Sequence, residues 1–214
     1  MADPSLYTYP SPLEGYEGLE PLPTYVCTPE KKDSLTGGSG VSASILSFTN
    51  DITRDIITSG PDAKSYINDP VKQRSPAYAE FTSPLSNGTR GGFDVHIYCL
   101  QTDASEFAFA TALHERIRRE FPELRIYRVW DKPIGPHPVG MFEVNVFTPE
   151  QFGAFIPWLV INRGPLSALV HPNTGDDVRD HTQRATWMGQ PIPLQMGTLR
   201  RAVASRAEPK AGGA

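Results

Sequence analysis

The sequence predicts an α+β fold, a single antiparallel sheet with helices packed on one face. Three observations lead there. From residue 93 to 171 the apolar residues alternate between a period of two and a period near 3.6, in the order β-α-β-β-α-β. That order is the ferredoxin-like plait, in which the first and third strands are central and the fourth lies beside the first. The chain has 214 residues, 39% hydrophobic and 21% charged, which suits one domain with a real core.

Residues 93–100 (FDVHIYCL) are β-branched and aromatic, a strand signature. Val95, Ile97 and Cys99 share one face; Asp94, His96 and Tyr98 share the other. Residues 105–121 read as a helix capped by Ser105, with Phe109, Leu113, Ile117 and Phe121 as its apolar stripe and Pro122 closing it. Residues 124–130 (LRIYRVW) are a second strand, and 132–140 (KPIGPHPVG) a turn. Residues 141–147 are a third strand, with Phe142, Val144 and Val146 on one face and Glu143 and Asn145 on the other. Residues 148–161 form a second helix, capped by Thr148 with Pro149 at its first position. Residues 166–171 are a fourth strand, and 191–197 are expected to add a fifth.

The rest of the chain differs in kind. Residues 1–92 hold 11 acidic and 7 basic residues; residues 93–214 hold 13 of each. Six prolines in residues 1–30 forbid a long helix there. The expected organisation is an extended arm over 1–90, with a flexible linker at 37–45, then a domain over 91–200 and a flexible tail over 201–214. The element at 46–58 reads as either helix or strand. Lone aromatics suggest that parts of the arm lie across the domain, with a disordered tail as the alternative.

Composition excludes several classes. A net charge of −4 gives no basic footprint for nucleic acid. No apolar run reaches membrane-spanning length, and Met-Ala-Asp-Pro-Ser is not a secretory leader, so a cytoplasmic protein is expected. Cys27 and Cys99 make no disulfide framework, and Cys99 faces the helices. There is no serine elbow, P-loop or dinucleotide fingerprint.

All five histidines lie between His96 and His181. His96 and His171 fall on adjacent strands and point the same way. His137 sits in a Gly-Pro-His-Pro turn, and His181 one loop beyond the fourth strand. Neutral imidazoles on one face are what a divalent first-row metal needs. Strand histidines also serve as ordinary hydrogen-bonded residues, so the metal reading depends on the topology. Glu143 on the same face could complete a two-histidine, one-carboxylate set or support His96. Asp176, Asp177 and Asp180 could orient imidazoles, or the segment 171–182 could be a solvated turn. Arg163 could complement a helix end or bind a substrate carboxylate. Asn145 and Tyr98 share the histidine face and are candidate substrate contacts. His114, on a helix between charged neighbours, is set aside.

FDVHIYCL, RREFPELRIYRVWDKPIGPHPVGMFEVNVFTPEQF, PWLVINRGPLSALVHPNTGDDVRDHT and ATWMGQPIPL, in that order, resemble the DOPA 4,5-dioxygenase family, most of all its fungal members. PSPLEGYEGLEPLP (10–23) resembles them as well. The resemblance implies a ferredoxin-like domain, often a homodimer. It also implies non-haem Fe(II), O2 and extradiol cleavage of a catechol such as L-DOPA, a pigment precursor of the betalain type. The matching histidines are His96, His137, His171 and His181. Bacterial relatives often have His-x-His in the first strand, where this chain has Asp94. On this basis His96, His137 and His171 are assigned to the metal and His181 to acid–base work. His137 and His181 could exchange roles, and Glu143 could replace one ligand. A zinc hydrolase of the same fold and a non-catalytic small-ligand binder are the other classes considered.

Overall fold

The computed structural model describes residues 11, 17–19, 73–85 and 91–207. The linker at 37–45, the element at 46–58, most of the arm and residues 208–214 lie outside the described residues. Two compact units are present: Met1–Thr8 with Ser75–Ala214, and Tyr9–Arg74. The sheet belongs to the first.

Five strands form it: β1 (Phe93–Cys99), β2 (Arg125–Ile126), β3 (Gly140–Val146), β4 (Ser167–Pro172) and β5 (Thr186–Met188). Their order is β2-β3-β1-β4-β5, and every neighbouring pair is antiparallel. The first and third strands are central and the fourth lies beside the first, as the β-α-β-β-α-β pattern requires. Register places His96 opposite Glu143 and Asp94 opposite both Asn145 and His171.

The helices α1 (Ala104–Glu120) and α2 (Pro149–Asn162) cover the other face. Val95, Ile97, Cys99, Phe142, Val144, Val146, Ala168 and Val170 meet Leu113, Ile117, Phe155 and Leu159 there in one buried core. The cap of α1 is Asp103 rather than Ser105; its carboxylate accepts from the Ser105 and Glu106 amides. A carboxylate there also meets the positive end of the helix dipole. Phe109 lies at the margin of the stripe, 39% exposed, because Ala110 takes the inward position. Among the described residues before β1, Phe81 packs edge-on against Phe93 and Phe152 at 5.3 and 6.4 Å.

Three expectations are corrected. Residues 191–197 are not a strand: Pro191 and Pro193 remove donors at alternate positions. The added strand is β5, with Leu169 opposite Trp187. The C-terminal segment is not a tail as far as Ala207. Met196–Ala207 form helix α4, which buries Leu199 and reaches Asp177 through Arg206 at 2.9 Å. Alanine and arginine there are strong helix formers. The second strand is also shorter than 124–130, its pairing resuming only at the Trp130–Met141 bridge. No helix among the described residues is long and apolar enough to cross a membrane.

Candidate metal centre

Strand alternation brings His96 and His171 to the face away from α1 and α2. They are diagonal neighbours, and their Nε2 atoms stand 3.0 Å apart. A short helix, α3 (Asp177–Asp180), carries His181 at its C-terminal cap and holds that ring, tilted by 37°, with its centroid 4.0 Å from that of His171. The donor atoms of His96, His171 and His181 all lie within 4.8 Å of one another. His137 stands beside this group, its ring 4.2 Å from His96 and 6.0 Å from His181. The converging set is therefore His96, His171 and His181, and His137 is not part of it.

Each imidazole is oriented from behind. The His171 Nδ1–H donates to the Pro172 carbonyl at 3.0 Å, and the His181 Nδ1–H donates to the Asp177 carbonyl at 2.8 Å. Both bonds leave the Nε2 lone pair free, which is the tautomer a metal ligand needs. His96 differs: its Nδ1 is buried without a hydrogen-bond partner, 3.8 Å from a Glu143 carboxylate oxygen. Without a cation the His96 Nε2–H must point at His171, leaving Nδ1 bare. With a cation the proton would sit on Nδ1, facing Glu143, and both Nε2 atoms would offer it lone pairs.

Geometry and charge both fit a divalent ion. Bonds of about 2.1 Å would let one ion reach two nitrogens up to about 4.2 Å apart, and the Nε2 atoms of His96 and His171, at 3.0 Å, lie within that reach. Burial holds all four imidazoles below their ordinary range; neighbouring imidazoles add to the effect for His96, His137 and His181, while the Pro172 carbonyl and the Asp180 and Asp177 charges oppose it for His171. His96 lies well below that range and His171 below it; His137 is pushed down to about 3 and His181 to about 4. They are neutral at pH 7 and free to bind a cation. An all-nitrogen set suits iron, zinc, copper or nickel.

The remaining predicted residues divide. Glu143, raised to about 7 by burial and by the Asp94 charge, stands behind His96. Asn145 donates to the carboxylates of Asp94 and Glu143, at 2.5 and 2.8 Å. Asp94 also accepts from Asn173 at 2.9 Å. Tyr98 is hydrogen-bonded to His137 Nδ1 at 2.8 Å and stacks on Trp187. Asp176 is at the far end of α3, where it caps the helix and pairs with Arg179 at 3.3 Å. Arg163 caps α2 and donates to the Leu166 carbonyl at 2.5 Å, away from the histidines.

Of the three aspartates, sequence reasoning singled out Asp176 as the candidate ligand or ligand support and passed over Asp180. The structure buries it and gives it the Thr174 amide and hydroxyl and the Arg184 guanidinium. It pins the loop whose next residue is His181. Nothing local in the sequence distinguishes it from Asp176 and Asp177.

The profile of the Dopa 4,5-dioxygenase family matches residues 93–198, from the first residue of β1 into α4. An uncharacterised 21.2 kDa protein of Botryotinia fuckeliana is 55% identical over 208 residues, covering 94% of this chain and 96% of its own. A DOPA 4,5-dioxygenase of Amanita muscaria is 40% identical over 109 residues, 49% of this chain and 47% of that protein. The chain thus spans about half the length of that relative. A crystal structure of a candidate dioxygenase from Nostoc punctiforme is 42% identical, with TM-score 0.48, covering 52% of this chain and 92% of that one. The matched stretch contains every strand of the sheet and all four clustered histidines, and the chain belongs to the Dopa 4,5-dioxygenase family.

Proposed function

We propose that the protein is an Fe(II)-dependent extradiol dioxygenase acting on a catechol such as L-DOPA. In this reading His96, His171 and His181 hold the metal, and His137 is left to face the reacting oxygen atoms. That exchanges the parts which sequence reasoning gives to His137 and His181. The observation carrying the proposal is the convergence of three imidazoles whose free nitrogens are aimed at one another.

When bound, a ferrous ion supplies coordination positions at which catechol and dioxygen meet, and the electron that lets them react. The residues of this chain do the rest. The Pro172 and Asp177 carbonyls hold two ligand rings in one tautomer. The Glu143 carboxylate faces the third ring and compensates charge brought by the metal. Extradiol cleavage breaks the ring bond next to a hydroxyl-bearing carbon and puts both oxygen atoms into the product. No external reductant is required. Family membership and the cluster support an oxygenase.

The test is optical. Protein loaded anaerobically with Fe(II) receives L-DOPA and then air. The expected result is a new yellow absorbance with matching oxygen uptake, requiring both iron and oxygen. Oxygen-independent or iron-independent absorbance would overturn the reading.

A further inference from the structure

We propose that Tyr98 is a positioning residue: it fixes His137 as the Nε2–H tautomer, making it a neutral N–H donor that cannot bind the metal through that nitrogen. The inference rests on the oxygenase reading for its purpose, though not for its structural content.

The argument follows the hydrogen. Tyr98 lies on β1, 1% exposed, with its ring against Trp187 at 5.5 Å. A buried phenol needs an acceptor for its O–H, since an orphaned donor costs more than a made bond returns. His137 Nδ1, at 2.8 Å, is the acceptor available. Were the bond reversed, with Nδ1–H donating to the phenol, the Tyr98 hydrogen would have no acceptor among the described residues. The Tyr98 O–H therefore donates, Nδ1 offers its lone pair, and the His137 proton sits on Nε2.

His137 is thus the opposite tautomer to His171 and His181, whose Nδ1–H groups are taken by backbone carbonyls. The backbone makes the arrangement stiff. Pro136 and Pro138 flank His137, a pair of hydrogen bonds ties it to Ile134, and the Gln195 amide holds the Pro136 carbonyl. A neutral N–H held beside a metal site can stabilise negative charge developing on a reacting oxygen without itself changing charge.

The experiment uses protein labelled with nitrogen-15 in histidine, metal-free and zinc-loaded, read by long-range proton–nitrogen correlation. The expected result is a protonated Nε2 and a bare Nδ1 for His137, with the reverse pattern for His171 and His181. In Tyr98→Phe, which keeps the ring against Trp187, His137 should become a mixture of tautomers. Zinc stoichiometry should be unchanged. In iron-loaded enzyme kcat should fall about tenfold or more while KM for the catechol stays within about twofold. A His137 proton on Nδ1 in the wild type, a zinc-ligated Nε2, or an unchanged tautomer in Tyr98→Phe would each overturn the proposal. The wild-type spectrum decides even if the variant folds poorly. If the tautomers are as expected but no catechol is consumed, the oxygenase reading fails and the tautomer assignment stands.

Discussion

A buried imidazole serves a cation only when its proton is held elsewhere. Two backbone carbonyls do that for His171 and His181; for His96 the Glu143 carboxylate, 3.8 Å from Nδ1, would do it once a cation displaced the proton from Nε2. Replacing His171 or His181 with alanine should therefore remove the metal, while His137→Ala should keep it. Metal analysis after dialysis separates these outcomes, and loss of metal from the His137 variant alone would reject the ligand set. Part of this was legible from residue order. Alternation along β1, β3 and β4 places His96, Glu143 and His171 on one face before any coordinates are known. His137 and His181 lie in loops, where no periodicity fixes the direction of a ring. Their division of labour depends on the Tyr98 hydroxyl and the Asp177 carbonyl, partners that spacing does not reveal.

At the scale of elements, two connections position the site. Gly92 leads into β1 at φ +70° with its carbonyl accepting from the Asn173 amide at 2.9 Å, and a methyl there would run into the Val146 carbonyl. Gly92→Ala should cost about 3 kcal/mol, combining left-handed strain with a backbone clash. A urea melt showing a loss below about 1 kcal/mol would contradict it. The loop before His181 depends on Asp180, which is 2% exposed and accepts from three groups. Asp180→Ala should cost about 2 kcal/mol, discounted because Arg184 can turn to water, and should weaken metal binding about tenfold by loosening His181. Zinc titration of the variant checks the second effect. The elements that sequence reasoning misread were those set by tertiary contact. β5 is three residues long and exists because β4 offers an edge, and α4 gains its place by burying Leu199. Short segments carry too few residues for a period to show.

For the whole molecule, the histidine cluster makes stability depend on acidity and on metal together. In the metal-free fold four imidazoles are held below the ordinary value of 6.5 by burial. The unfolded chain binds protons there that the folded chain refuses. Their contribution is complete above pH 6.5 and is lost as pH falls toward about 4 for His181 and about 3 for His137. Glu143 works the other way: raised from 4.5 to about 7, it takes up a proton in the folded state across that window and offsets roughly one imidazole. Each uncompensated group changes stability by about 1.4 kcal/mol per pH unit. Metal-free protein should therefore lose stability with each unit that pH falls below about 6, as seen in urea melts at successive pH values. Zinc at a hundred times its dissociation constant should add about 2.7 kcal/mol at pH 7. That gain should shrink at pH 5, because protons on the unfolded and opened imidazoles compete with the cation. A metal-free stability curve that stayed flat from pH 7 to 5 would mean that the imidazoles are not desolvated together, and the case for a preformed cation site would fall with it.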